Sequence, residues 1–158
     1  MSALTLTLPD GGALALHAGQ LTQCAWSPAN HAAVSAALLA AGQVMLALPA
    51  QGGLLSTLSV ADNLTLAASY HGMPWAELDA ALALLLPALA LDATAWRTLL
   101  ATPTEQLSAD DRRRVLLLRA ALTPAAAWLI DSDFFADAHP DLASRGQALL
   151  AKALPGRL

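Results

Sequence analysis

The 158-residue chain carries 8 Lys and Arg against 12 Asp and Glu, a net charge of −4, and is 56% hydrophobic with 13% charged residues. That balance argues against non-specific nucleic-acid binding, which rests on neutralising phosphates, and the length suits one domain with a substantial core. The mean hydropathy of +0.51 is high for a soluble protein, but the densest apolar run, Ala80 to Leu91, holds Pro87 and is well short of the roughly 20 residues that cross a bilayer. The opening stretch MSALTLTLPDGG has no basic region leading into a hydrophobic one, so no secretory signal is expected. Within it Leu4, Leu6 and Leu8 alternate with Thr5 and Thr7, predicting a half-buried strand closed by Pro9-Asp10-Gly11-Gly12. Ala13 to His17 is a second strand candidate and Ala18-Gly19-Gln20 a turn. Leu21 to Trp26 is a strand holding the single cysteine, Cys24, which excludes an internal disulfide. It enters Ser27-Pro28-Ala29-Asn30-His31, and a helix is expected from Ala32 to Ala41, stopped by Gly42.

Gln43 to Leu48 has the continuous apolar character of a buried strand, and Pro49 to Gly53 a turn composition. Ser59 can cap a helix from Val60 to about Ser69, which His71-Gly72-Met73-Pro74 breaks. Trp75 to Leu89 predicts a very apolar helix shortened or kinked by Pro87, and Ala93 to Leu100 a short one before Thr102-Pro103. Tyr70, Trp75 and Trp96 are expected to pack, since large aromatics dominate burial. Ser108 followed by Asp110 and Asp111 suits a helix start, because a hydroxyl caps free N–H groups and carboxylates oppose the positive end of the dipole. Val115, Leu118, Arg119 and Leu122 then form a mostly apolar stripe, with Arg112, Arg113 and Arg114 near the start and Thr123-Pro124 at the end. Ala125 to Ile130 is short and apolar on both faces, like a central parallel strand, and places Asp131 at its carboxyl end, where open α/β sheets hold ligands. A last helix is expected from about Pro140 to Ala153.

The stretch from Gln106 to Phe134 resembles the signature helix and Walker B strand of ABC transporter ATPases. Leu107 and Ser108 match the opening of the LSGGQ signature, while Ala109, Asp110 and Asp111 stand at its Gly, Gly and Gln. Asp131 matches the magnesium-holding Walker B aspartate and Ser132 takes the place of the catalytic Glu; Phe134 fits the aromatic that follows, and Asp133 replaces a Pro. Upstream, Gln51 matches the Q-loop glutamine, and Val60, Asp62 and Asn63 fit the start of the family's helical subdomain, most closely in the branch that powers bacterial lipid-asymmetry and MCE-type transport. The phosphate-loop region keeps its context and loses its chemistry. Ser27, Asn30 and Ala32 occupy the glycine positions, Ala33 the lysine position and Val34 the first hydroxyl position, with Ser35 a hydroxyl one place late. Only eight residues separate Gly42 from Gln51, where the family threads an antiparallel extension, and no counterpart of the switch histidine is expected, His139 lying too close to Asp131.

The resemblance implies one α/β domain over residues 1–158, a truncated P-loop NTPase-like fold of ABC ATPase type with a central, mostly parallel sheet, flanking helices and a helical subdomain inserted at 59–106. It implies a catalytically degenerate subunit that does not hydrolyse ATP by itself and has a structural or regulatory role in an ABC-type transport system, with lipid as the suggested cargo class. No cofactor is expected beyond ATP and magnesium in a site that still bound them. Partners would be a permease, a complete ATPase subunit or further copies of the chain. The setting would be cytoplasmic, at the inner face of the inner membrane, with membrane contact only through a permease. Two alternatives stay open: a nucleotide sensor that binds without hydrolysis, and a metal-dependent enzyme built on Asp131, Asp133 and His139, with Asp137 and Asp141 close in sequence.

Overall fold

The computed structural model describes residues 4–17, 20, 22, 27–70, 72–123, 125 and 127–153. The chain starts with an antiparallel hairpin, β1 (Leu4–Thr7) and β2 (Ala13–Leu16), in which Leu4 faces Leu16 and Leu6 faces Leu14. Its turn is closed by the Leu8 amide donating to the Gly12 carbonyl at 2.7 Å, with Gly11 at φ 86°, a left-handed conformation that glycine adopts without steric cost. Helix α1 (Pro28–Ala40) begins four residues earlier than the sequence suggested. Ser27 accepts from the Asn30 amide at 3.0 Å and Pro28 fills a first-turn position whose missing N–H costs nothing, so Ser27 to His31 form the cap and first turn of the helix and not a loop. Gly42, at φ 68°, follows the end of this helix as expected.

Strand β3 (Met45–Leu48) pairs in parallel with β4 (Ala127–Ile130), Met45 opposite Ala127 and Leu48 opposite Ile130. Among the described residues the strands therefore form two separate pairs, and the expected central, mostly parallel sheet is reduced to one parallel pair. The strand expected at Leu21 to Trp26 lies largely outside the described residues. Between β3 and β4 come α2 (Val60–Tyr70), α3 (Trp75–Ala88), α4 (Ala93–Ala101), a 3-10 turn at Thr104–Gln106 and α5 (Ala109–Leu122). A second 3-10 turn, Ser132–Phe135, and α6 (Pro140–Ala153) complete the chain.

Helix α5 is the centre of the core. Val115, Leu116, Leu117, Leu118 and Ala120 are all fully buried, because α2, α3 and α6 and strand β3 pack around it. The second half of α5, from Val115 to Leu122, is apolar except for Arg119, and such a stretch is stable only when enclosed in this way. A second, smaller cluster joins Leu6, Leu8 and Leu14 of the hairpin region to Val34, Leu38 and Ala127. Trp96 packs against the main core as expected, but Tyr70 and Trp75 are 86% and 66% exposed, contrary to expectation. They are the last residue of α2 and the first of α3. The segment between Leu58 and Thr104 closes on itself, the Thr104 hydroxyl donating to the Leu58 carbonyl at 2.6 Å. No single helix among the described residues is long and apolar enough to cross a membrane; α3 and α4 reach that length only together, across a bend of 110°.

Candidate functional site

The carboxyl ends of two parallel strands are a usual place for a ligand, and here the pairing ends with the Asp131 amide donating to the Leu48 carbonyl at 3.0 Å. Here β3 runs into Pro49 to Gly53 and β4 into Asp131. Asp131 ties the two ends together, accepting from the Ala50 amide at 3.5 Å and from the Asp133 amide at 3.0 Å. The second bond caps the 3-10 turn Ser132–Phe135. Ser132, the residue at the catalytic Glu position, points its hydroxyl at Asp133 at 3.5 Å.

The turn after β3 owes its shape to Gly52 and Gly53, at φ 71° and 85°. A Cβ on Gly53 would fall 2.9 Å from Pro49 Cγ and 3.0 Å from Leu116 Cδ2, so the backbone sits directly against α5. Arg112 holds it there, donating to the Ala50 carbonyl at 3.0 Å and the Gly52 carbonyl at 3.4 Å. Asn63, fully buried at the start of α2, fixes the following stretch through the Leu55 amide and three carbonyls. The turn is thus anchored on both sides, with the Gln51 side chain exposed between the anchors.

Helix α5 closes the site. Ser108 caps it, accepting from the Asp111 amide at 3.1 Å while its hydroxyl donates to the Asp111 carboxylate at 2.7 Å. Arg113 is 4% exposed; it donates to the Phe134 carbonyl at 2.7 Å and pairs with Asp110 at 3.1 Å, joining α5 to the turn after β4. Asp110 also receives the His139 amide, at 3.3 Å. Between these elements lies a depression of ≈ 660 Å³ lined by Gln51, Arg112, Arg113, Asp133 and Asp137 together with Ala50, Gly52, Ala109 and Ala136.

Of the residues singled out by sequence, Gln51 lines this depression; Asp131 does not, but bonds to Ala50 and Asp133, which do, and Ser108 caps the helix whose first turns contribute Ala109, Arg112 and Arg113. Ser27, Asn30, Ala33 and Ser35 do not line it. All four are engaged or placed within α1 and its cap: Ser27 caps the helix, Asn30 is buried and donates to Asp10 at 3.0 Å, Ala33 is half-buried, and the Ser35 hydroxyl donates to Met45 Sδ at 3.7 Å. The carboxylate and imidazole groups after β4 do not assemble either. Among the described residues no three His, Cys, Asp or Glu side chains are grouped to hold an ion. His139 Nδ1 instead accepts from the Asp141 amide at 3.3 Å, and Asp141 pairs with Arg145 at 2.8 Å. Asp131, Asp133 and His139 are thus not brought together as one such group among the described residues.

Sequence reasoning assigned no role to Arg112 and Arg113, although the run of three arginines directly after a capped helix start was the available signal. Chemically the depression is mixed. Arg112 has carbonyl partners and no carboxylate among the described ion pairs, but Asp133 and Asp137 share the lining, so a polyanion would meet two negative charges beside two already engaged guanidinium groups. Compared with family models, curated proteins and solved structures, the chain matches none.

Proposed function

We propose that this chain is a catalytically degenerate relative of the ABC transporter ATPases and serves as a structural or regulatory subunit of an ABC-type transport system, with lipid as the suggested cargo. The observation that carries the proposal is the frame around the depression. A Gln-bearing turn after one strand, an aspartate at the end of its parallel neighbour and a Ser-capped helix start meet there in the family's order, and each is bonded into the scaffold. The chemistry that would use this frame is replaced: Ala33 for the phosphate-binding Lys, Ser132 for the catalytic Glu, and Asp110 and Asp111 at the second Gly and the Gln of the signature. Losing one such group costs orders of magnitude in turnover, and here every class is lost together. On this proposal the partner is a permease, a complete ATPase subunit or a second copy of the chain, engaged independently of nucleotide.

Titration of the purified chain with Mg-ATP tests it. The expected affinity is no tighter than about millimolar, roughly 4 kcal/mol, and light scattering should give the same mass with and without nucleotide. ATP hydrolysis abolished by Asp131→Ala or Gln51→Ala, or a dimer formed only when nucleotide is added, would overturn the proposal.

A further inference from the structure

Helix α3 carries an outward face that has no business in water. Ala76, Ala80, Ala83, Leu84 and Pro87 fall at three- and four-residue spacing, and all five are exposed, Leu84 to 79%. The opposite side, with Leu78 buried and Leu82, Leu85 and Leu86 half-buried, packs on the core. A solvent-facing helix normally turns charged residues outward. Here the only charges are Glu77 and Asp79, at the two borders of the apolar stripe.

The charge distribution indicates what covers it. Residues 59–106 hold Asp62, Glu77, Asp79, Asp92 and Glu105 against Arg97 alone, while the rest of the chain has seven acidic and seven basic residues. The entire net charge of −4 thus lies in the segment that presents the apolar face. A second copy would bring the same acidic border to the same place. A bilayer fits no better, since the border has no Lys or Arg to meet anionic headgroups.

We infer that the outer face of α3 docks an amphipathic helix of a partner protein whose apolar stripe is flanked by Lys and Arg. The stripe covers Ala80, Ala83, Leu84 and Pro87, and its basic flanks meet Glu77 and Asp79. This inference does not depend on the proposed relation to ABC ATPases.

The test uses the full chain and two dye-labelled designed helices with the same leucine stripe, one flanked by lysines and one by glutamates, followed by fluorescence anisotropy. The lysine-flanked helix should bind at least about tenfold more tightly than the glutamate-flanked one, and more weakly as salt is raised. Leu84→Arg should abolish binding, whereas Leu39→Arg, at a leucine on α1 that is just as exposed at 78%, should leave it unchanged. The double variant Glu77→Lys, Asp79→Lys alters only exposed side chains; it should invert the preference between the two helices and keeps the test decisive if Leu84→Arg disturbs folding. Equal binding of both helices, no binding of the lysine-flanked one, or equal loss with Leu39→Arg would overturn the inference. So would a dimer in light scattering, or binding to phosphatidylcholine vesicles, that Leu84→Arg removes.

Discussion

Replacing Asn63 by Ala tests whether the turn bearing Gln51 is held from the α2 side. Asn63 is 1% exposed; its Oδ1 accepts from the Leu55 amide at 2.8 Å, and its Nδ2 donates to the carbonyls of Leu55, Leu58 and Ser59 at 2.9, 3.3 and 3.0 Å. Counting four bonds would overstate the cost, because each carbonyl keeps another donor: Leu55 the Leu58 amide, Leu58 the Thr104 hydroxyl, and Ser59 the amide of residue 63 itself. Only the Leu55 amide loses its partner, and the small side-chain void adds a packing loss, so the expected destabilisation is about 2 kcal/mol. For a chain of this size that is a fall of roughly 4–8 °C in Tm, read by circular dichroism and checked by urea unfolding. Asn63→Asp should be worse at neutral pH, since an acceptor-only carboxylate then faces three carbonyls. Such burial raises the carboxyl pKa, so the penalty is full above the folded-state value and fades below the unfolded one. A loss under about 0.5 kcal/mol for Asn63→Ala, the scatter of ordinary surface changes, would refute the anchoring role.

Gly53→Ala should cost about 2 kcal/mol, combining left-handed backbone with contacts to Pro49 and Leu116, whereas Gly52→Ala, with open space around its Cβ, should cost about 1 kcal/mol; urea unfolding separates them. The Asp10 carboxyl is held below its ordinary range by the hydrogen bond from the Asn30 side chain and then by the Gly12 amide. The stability it contributes is present above the unfolded pKa and is lost as pH falls through the folded one, and Asn30→Ala should move its NMR titration upward. Burial pushes the Arg119 guanidinium down, and its Nε has no partner among the described residues. Arg119→Met should therefore leave the midpoint of thermal unfolding unchanged or raise it.

Local chemistry made the helices readable. Ser108 with Asp110 and Asp111 located the start of α5, and α6 spans the expected Pro140 to Ala153. The start of α1 was misplaced because Ser27-Pro28-Ala29-Asn30 is polar and Pro-containing, which resembles a turn unless proline is weighed as a first-turn residue. Residue type alone points Tyr70 and Trp75 to packing, but they stand at the end of α2 and the start of α3 and are exposed. At the site, Gln51 was legible as a polar residue in a glycine-rich turn. The Arg112 clamp was not, because its acceptors are backbone carbonyls 60 and 62 residues away, and a carbonyl leaves no mark on side-chain chemistry. The scattering of Asp131, Asp133 and His139 was hidden for a related reason: nearness in sequence does not set side-chain direction across a 3-10 turn.

The bond between Thr104 and Leu58 bears on the order in which the molecule assembles. Bringing Ala50 to Asp131, 81 residues apart, costs about 4 kcal/mol of chain entropy if the intervening chain is free. Closing the 46-residue interval from Leu58 to Thr104 first takes that stretch out of the later closure, roughly halving its length and lowering its cost by about 0.6 kcal/mol. The helices between the strands are also each closed by local hydrogen bonds, which mature faster than distant strand pairing. Helix α2 should therefore settle on α5 before β3 finds β4, and pulse-labelled hydrogen exchange during refolding should protect Leu64 and Leu116 ahead of Leu46 and Leu129. In the finished molecule the same sequence runs backward: the strand pair that carries the Gln51 turn is the part expected to open first under mild denaturant, while the helical core stays closed.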